Sequence, residues 1–184
     1  MVKGDKMNIL VIQSSPHQNG SSNLLADNFV RGAKEAGNSV TVFDAAKAEI
    51  HPCLACESCG MNGPCTQKDD MDKLKELILQ SDMVVLVTPL YYFGMSAQLK
   101  TVIDRCYSFN SKLHSKDLKT ALIATAWDSN EIKMQPLVAH YNMICRYLGF
   151  EDKGIILGLG CGTPSMTQRT IYPQKAYEHG KSVK

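Results

Sequence analysis

Net charge, long apolar runs and tryptophan are all scarce in this chain of 184 residues. Twenty basic residues stand against 18 acidic ones, a net charge of +2 with no Lys/Arg block, so the electrostatic footprint of a nucleic-acid-binding protein is missing. The longest apolar runs, near Ile9–Ile12 and Met83–Val87, fall far short of the ~20 residues that cross a bilayer. No charged-then-apolar leader opens the chain. The expectation is a cytoplasmic protein with no membrane and no nucleic acid as partner. Internal repeats, low-complexity tracts and long linkers are also missing, which implies one domain over residues 1–184, with Met1–Lys6 a dispensable leader. A chain of this size buries about 70% of its unfolded surface, enough for a real core.

Disulfide scaffolding is a poor explanation for the seven cysteines, an odd number with four of them inside thirteen positions. That clustering suits a reducing compartment and a thiolate site. The periodicities are those of alternating strands and helices. Met7–Gln13, Ser39–Phe43, Met83–Thr88, Thr120–Thr125 and Gly154–Leu159 read as strands, the central ones apolar throughout. Leu25, Phe29, Ala33 and Ala36 mark a helix from Ser22 that Gly37 ends. Helical spacing recurs at Met71, Leu74, Leu77 and Ile78, at Leu99, Val102, Ile103 and Cys106, and over Met134–Leu148, with a short last helix from Tyr172. A parallel sheet covered on both faces follows, the doubly wound α/β class with strand order 2-1-3-4-5. Ligands of such sheets bind beyond the carboxyl ends of the strands at the switch point, here the loops after strands one, three and four.

The first of these loops, Ser14–Asn23, packs hydroxyls, amides and a glycine before a helix start. Ser15, His17, Gly20, Ser21, Ser22 and Asn23 suit a single phosphomonoester met by hydroxyls and helix N–H groups. The loop is neither G-x-x-x-x-G-K-[ST] nor G-x-G-x-x-G. The same residues would also make an ordinary Ser-rich turn with Ser21 or Ser22 as N-cap. After the third strand, Pro89, Leu90, Tyr91, Tyr92, Phe93 and Gly94 offer apolar walls and backbone groups to a flat conjugated ring, unless Tyr91 and Phe93 pack under the next helix. Phosphate in one loop and ring in the next describes FMN. Ala126, Trp127 and Asp128 occupy the third loop, the lone tryptophan being a flavin contact, core or interface. Gly158-x-Gly160-x-Gly162 follows a strand too, but Pro164 and a turn-rich stretch in place of a helix argue against a dinucleotide site.

Ser15-Pro16-His17-x-x-Gly20-x-Ser22-x-x-Leu25, then Pro89-Leu90-Tyr91, then Ala97-x-Leu99-Lys100-x-x-x-Asp104-Arg105 resemble the NADPH-dependent FMN reductase family of the flavodoxin-like superfamily, over roughly Met7 to Leu159. The resemblance implies a flavodoxin-like fold, tightly held FMN and a homodimer or homotetramer. It places Ser15, His17, Ser22 and Asn23 on the phosphate and ribityl chain, and Pro89, Leu90, Tyr91, Phe93 and Gly94 on the isoalloxazine. This sequence departs at Ser14, where the family often has Gly, and at His17, where it often has Arg.

Pro52-Cys53-x-x-Cys56-x-x-Cys59-x5-Cys65, followed by Asp69-Asp70-Met71, resembles the compact cysteine motif of the iron-sulfur flavoproteins. Four thiolates so spaced can wrap a 4Fe-4S cluster, and Gly60, Gly63 and Pro64 let the loop bend. Packed thiols without metal, or tetrahedral zinc, are the alternatives. The expected function is an NAD(P)H oxidoreductase passing electrons through FMN to a flavin, quinone or other small acceptor, with no side-chain acid or base required. The alternatives are an electron-transfer iron-sulfur flavoprotein, with a partner such as a ferredoxin-type protein, and a zinc-stabilised interaction module.

Overall fold

The computed structural model describes residues 6–184; the leader expected over Met1–Lys6 lies, Lys6 apart, outside the described residues. Five strands, β1 (Asn8–Gln13), β2 (Ser39–Asp44), β3 (Met83–Pro89), β4 (Lys119–Thr125) and β5 (Glu151–Gly158), form one parallel sheet in the order β2-β1-β3-β4-β5. In β1, Ile9 and Val11 enter one core and Leu10 and Ile12 the other, the period-2 alternation of a strand buried on both faces. The doubly wound order expected from the apolar runs is the observed one.

The helices are α1 (Ser21–Glu35), α2 (Met71–Gln80), α3 (Ala97–Arg105), α4 (Asn110–His114), α5 (Gln135–Leu148), α6 (Pro164–Gln168) and α7 (Tyr172–Ser182). Leu25, Phe29 and Ala33 of α1 and Ala176 of α7 cover one face of the sheet; Leu74 of α2, Leu99 and Val102 of α3, and Leu137 and Tyr141 of α5 cover the other. Among the described residues no helix is long and apolar enough to cross a membrane.

Several boundaries differ from the sequence reading. β5 starts at Glu151, three residues before Gly154, because its charged start still pairs with Lys119 and Thr120 of β4. A 3-10 turn (Cys106–Phe109) and α4 extend the chain beyond α3, too short to show a period. A helix does follow the glycine run after β5, correcting the expectation of turns only: Thr163 caps α6 through Oγ1, and Pro164 occupies its first turn, where a missing N–H costs nothing. With five residues, α6 is a single short turn.

Helices α1 and α7 meet backbone to backbone. A Cβ on Gly32 would lie 2.9 Å from the Lys181 nitrogen and closer still to the Tyr177 carbonyl oxygen; one on Gly180 would strike the Phe29 carbonyl. Glycine is therefore required sterically at this crossing, against its poor helix propensity. Gly32→Ala should lower stability by about 1–3 kcal/mol through overpacking, where the same change at an open helix position raises it by up to about 1 kcal/mol. Urea unfolding followed by circular dichroism checks this, and a raised midpoint would mean that the helices can part without loss.

Candidate functional site

The loop after β1 has a buried polar floor. Ser14 is fully buried; its hydroxyl donates to the Val87 carbonyl (2.7 Å) and accepts from Ser96 Oγ (2.8 Å), while the Ser96 N–H donates to Thr88 Oγ1 (2.9 Å). Ser96 also caps α3 by accepting from the Leu99 N–H. This network pins the loop after β1 to the loop after β3. A glycine in place of Ser14 would leave it without its central hydroxyl.

Above that floor, α1 begins without a side-chain cap. Its N-cap is Gly20, and neither Ser21 nor Ser22 takes that role, so the capping alternative for these hydroxyls does not hold. Ser21 Oγ, Ser22 Oγ and Asn23 Oδ1 are all buried with no partner within the protein. Buried polar atoms are rarely left so, and three in succession at a helix N-terminus mark a place for an external ligand. Two can donate, as phosphate oxygens require; Asn23 Oδ1 can only accept, as from a sugar-alcohol hydroxyl. The Asn23 amide is oriented by donating to the Gln18 carbonyl (3.0 Å) and the His17 carbonyl (3.4 Å). A Cβ on Gly20 would come within 2.9 Å of both Ser15 Oγ and the His17 carbonyl, so glycine keeps the cradle open. Ser15 is buried and its Oγ accepts from the His17 N–H (3.2 Å); the His17 side chain is exposed at the rim. These features fit the phosphate and ribityl end of FMN.

The loop after β3 is a tight reversal in which Tyr91 and Gly94 exchange both backbone hydrogen bonds at 3.0 Å. Its two central residues, Tyr92 (φ 44°) and Phe93 (φ 65°), are both left-handed, a conformation that bulky residues seldom adopt. The adjacent glycine, Gly94, is not left-handed. The strain falls on the aromatics, and it holds them outward: Tyr92 is wholly exposed and Tyr91 and Phe93 about half exposed, so neither packs under α3. Pro89 closes β3 opposite Thr125, and the Leu90 N–H donates to the Thr125 carbonyl (2.7 Å).

The third loop continues this stair. The Ala126 N–H donates to the Gly158 carbonyl and the Cys161 N–H to the Ala126 carbonyl. Trp127 lies over Gly162, where a Cβ would enter its ring, and it is 71% exposed. Asp128 pairs with Lys133 and accepts from the Asn130 N–H, contacts that hold its carboxyl below the ordinary value, the lysine first among them.

The cysteine loop leaves β2 and is closed at its base by an ion pair. Asp69 and Arg105 are each about 1% exposed and joined in bidentate fashion, Nη1 to Oδ2 at 2.6 Å and Nη2 to Oδ1 at 3.0 Å. Arg105 Nη1 also donates to the His51 carbonyl (2.7 Å), and the His51 and Met71 N–H groups donate to the Asp69 carboxylate. Burial alone would raise the Asp69 pKa; the Arg105 hydrogen bonds and then the two N–H groups hold it below the usual carboxylate range. Burial would likewise lower Arg105, but Asp69 first and then the neighbouring Cys65 keep it raised.

Beyond this clasp, left-handed residues at Ala55 and Glu57 turn the chain on either side of Cys56, and Cys53, Cys56, Cys59 and Cys65 all line one cavity of about 320 Å³ with Arg105, Tyr107 and Ser108. Cys56 is exposed; the Ser58 N–H, then the Ser58 and Thr66 hydroxyls, bring its thiol down to about 7. All seven cysteines are free thiols, and among the described residues no three metal-ligating side chains converge on one point. Four thiols around one cavity are the donor type that a thiolate-bound centre requires, but the sulfurs are not drawn together. Cys106 packs against the core, and Cys145 and Cys161 are buried, so these three stand apart from the group.

The residues singled out from sequence thus fall into two groups, one on the loops after β1, β3 and β4 and one in the cysteine cavity. Sequence reasoning missed Ser14, Thr88 and Ser96, which act through hydrogen bonds across 82 positions of chain. It also missed the Asp69–Arg105 clasp: both residues stand in the quoted motifs, but nothing local joins two positions 36 residues apart.

Comparison with known proteins bears on both groups. Residues 7–142 match the family model described as NADPH-dependent FMN reductase. A Bacillus subtilis protein named as an NAD(P)H-dependent FMN-containing oxidoreductase, YwqN, is 30% identical over 165 residues, 84% of this chain and 86% of that one. An iron-sulfur flavoprotein of Archaeoglobus fulgidus is 29% identical over 154 residues, 84% of this chain and 69% of that one. Among solved structures, an NAD(P)H:quinone oxidoreductase from Methanothermobacter marburgensis superposes with a TM-score of 0.74 at 18% identity, covering 96% of each chain, a likeness of fold. With its flavodoxin-like sheet and the family match over most of its length, this chain belongs to the NADPH-dependent FMN reductase family of NAD(P)H-dependent oxidoreductases.

Proposed function

We propose that this chain holds FMN across the loops after β1, β3 and β4 and passes electrons from NAD(P)H to a small acceptor, a flavin or a quinone. The observation that carries this reading is the set of three orphaned buried atoms, Ser21 Oγ, Ser22 Oγ and Asn23 Oδ1, at the uncapped start of α1. When bound, FMN supplies the redox chemistry between the nicotinamide and the acceptor, so the protein's task is binding and orientation.

The Ser21 and Ser22 hydroxyls and the first N–H groups of α1 take the phosphate, in the field of the helix dipole. Ser15 Oγ, already an acceptor for the His17 N–H, has its own proton free to donate to the same group. His17 stands at the rim and Asn23 Oδ1 accepts from the ribityl chain. Pro89, Leu90, Tyr91, Phe93 and Gly94 flank the ring, with Tyr92 at the outer edge of the turn; Ala126, Trp127 and Asp128 close the other side. The exchange of hydrogen bonds between Tyr91 and Gly94 leaves the Tyr92 and Phe93 N–H groups without backbone partners, and they are the turn's donors to a polar ring edge. Four exposed aromatics, Tyr91, Tyr92, Phe93 and Trp127, are a larger apolar surface than a monomer ordinarily leaves to water, which supports a homodimer or homotetramer closed over this edge.

A second reading rests on the four cysteines around one cavity: Cys53, Cys56, Cys59 and Cys65 hold a 4Fe-4S cluster, and the protein exchanges single electrons with a ferredoxin-type partner. The resemblance to a protein named iron-sulfur flavoprotein supports it. Steady-state NAD(P)H oxidation by the pure protein separates the two roles.

Three outcomes are expected. Ser22→Asp sets a carboxylate against the phosphate, a repulsion of about 4 kcal/mol at contact for an effective dielectric near 20; fluorescence titration of the flavin-free protein should show FMN affinity falling at least a hundredfold, and unchanged affinity would place the phosphate elsewhere. Sedimentation at micromolar concentration should show a dimer or tetramer, and a monomer with flavin fully bound counts against the closed edge. Anaerobic incubation with iron and sulfide should load about four of each per chain, a loading that Cys56→Ala abolishes. Zinc uptake alone, or none, rejects the second reading and leaves the first standing.

A further inference from the structure

The ion pair at the base of the cysteine loop leaves one polar group over. Arg105 offers five N–H donors; Nη1 and Nη2 are engaged by Asp69 and the His51 carbonyl, but Nε is buried with no partner. A buried charge-bearing donor left unsatisfied is costly, more so than an uncharged one. Arg105 lines the same cavity as the four cysteines, and Cys65 lies close enough to its guanidinium to help keep it charged, while Nε itself has no partner. Among the chain's four arginines, Arg31, Arg105, Arg146 and Arg169, it alone lines that cavity. Its guanidinium plane is fixed by the bidentate pairing, so the orphaned donor cannot turn away to solvent.

We infer that Arg105 is a positioning residue of the cysteine site: its Nε–H donates to a sulfur on the Cys65 side of a bound metal-sulfur centre, offsetting that centre's negative charge, while the rest of the guanidinium clasps the loop through Asp69. The inference rests on the cluster reading of the cysteine loop. A thiolate-held cluster is anionic and gains a further negative charge on reduction, and hydrogen bonds to its sulfurs are among the levers that set its potential. One fixed donor thus favours the reduced form, and it ties the centre to α3 as well as to its own loop.

The direct test uses the wild-type chain, its arginines labelled with 15N, loaded anaerobically with iron and sulfide and then reduced. Pulsed electron paramagnetic resonance should show a 15N coupling to the cluster. Iron-loaded protein without that coupling overturns the inference and leaves the cluster reading intact; protein that takes up no iron overturns both. Arg105→Lys keeps a cation for Asp69 and removes the Nε donor. It should retain FMN and iron, lose the coupling, and shift the cluster's reduction equilibrium about tenfold towards the oxidised form, 59 mV for one electron. Asp69→Asn breaks the clasp and keeps Nε. If Arg105 only orders the loop, both variants lose iron to the same extent and the loaded fraction keeps the wild-type potential, which also overturns the inference.

Discussion

The buried bidentate pair between Asp69 and Arg105 is the constraint on which the layout of the cysteine loop depends. Between β2 and α2 the chain runs from Asp44 to Met71 without a helix or strand of its own. A connection so long inside a compact fold would ordinarily be mobile. Here its two ends are drawn together: Glu49 and Asp70 exchange two hydrogen bonds, His51 is held by Asp69 and Arg105, and the pair itself is sealed under the loop. Joining two charges away from water gains little over an apolar contact, yet removing one partner leaves the other stranded at about 3–5 kcal/mol. The pair is best understood as specifying where the loop sits rather than as a source of net stability.

The same division between floor and ligand surface appears at the other site. Ser14, Thr88 and Ser96 satisfy one another below the loops, whereas Ser21 Oγ, Ser22 Oγ and Asn23 Oδ1 are left unpaired above them. The loops are held in place by bonds that no ligand supplies, and the groups that face a ligand have no competing partner in the protein. Binding then needs no internal hydrogen bond to be broken first. That is preorganisation in the sense that lowers the cost of association.

Much of this was legible in the sequence. Strands buried on both faces read as unbroken apolar runs, so Ile9–Ile12 and Met83–Val87 revealed the centre of the sheet, and the loops at their ends followed from topology. What escaped had no local signature. β5 opens on Glu151, Asp152 and Lys153, which resemble a loop by composition, but Glu151 and Asp152 are paired on one edge by β4. Asp69 and Arg105 are 36 positions apart and meet only in three dimensions. The turn after β3 places its left-handed conformation on Tyr92 and Phe93 rather than on the neighbouring glycine, Gly94. An unfavourable local conformation of this kind cannot be read from propensity, because the surrounding structure imposes it.

Trp127 is the sole tryptophan, and it lies over Gly162 with 71% of its surface in water. All of the protein's indole emission therefore originates in the one loop after β4, which makes the chain its own optical reporter of that loop. A flavin or planar acceptor seated against that loop would quench the signal by energy transfer without any attached dye.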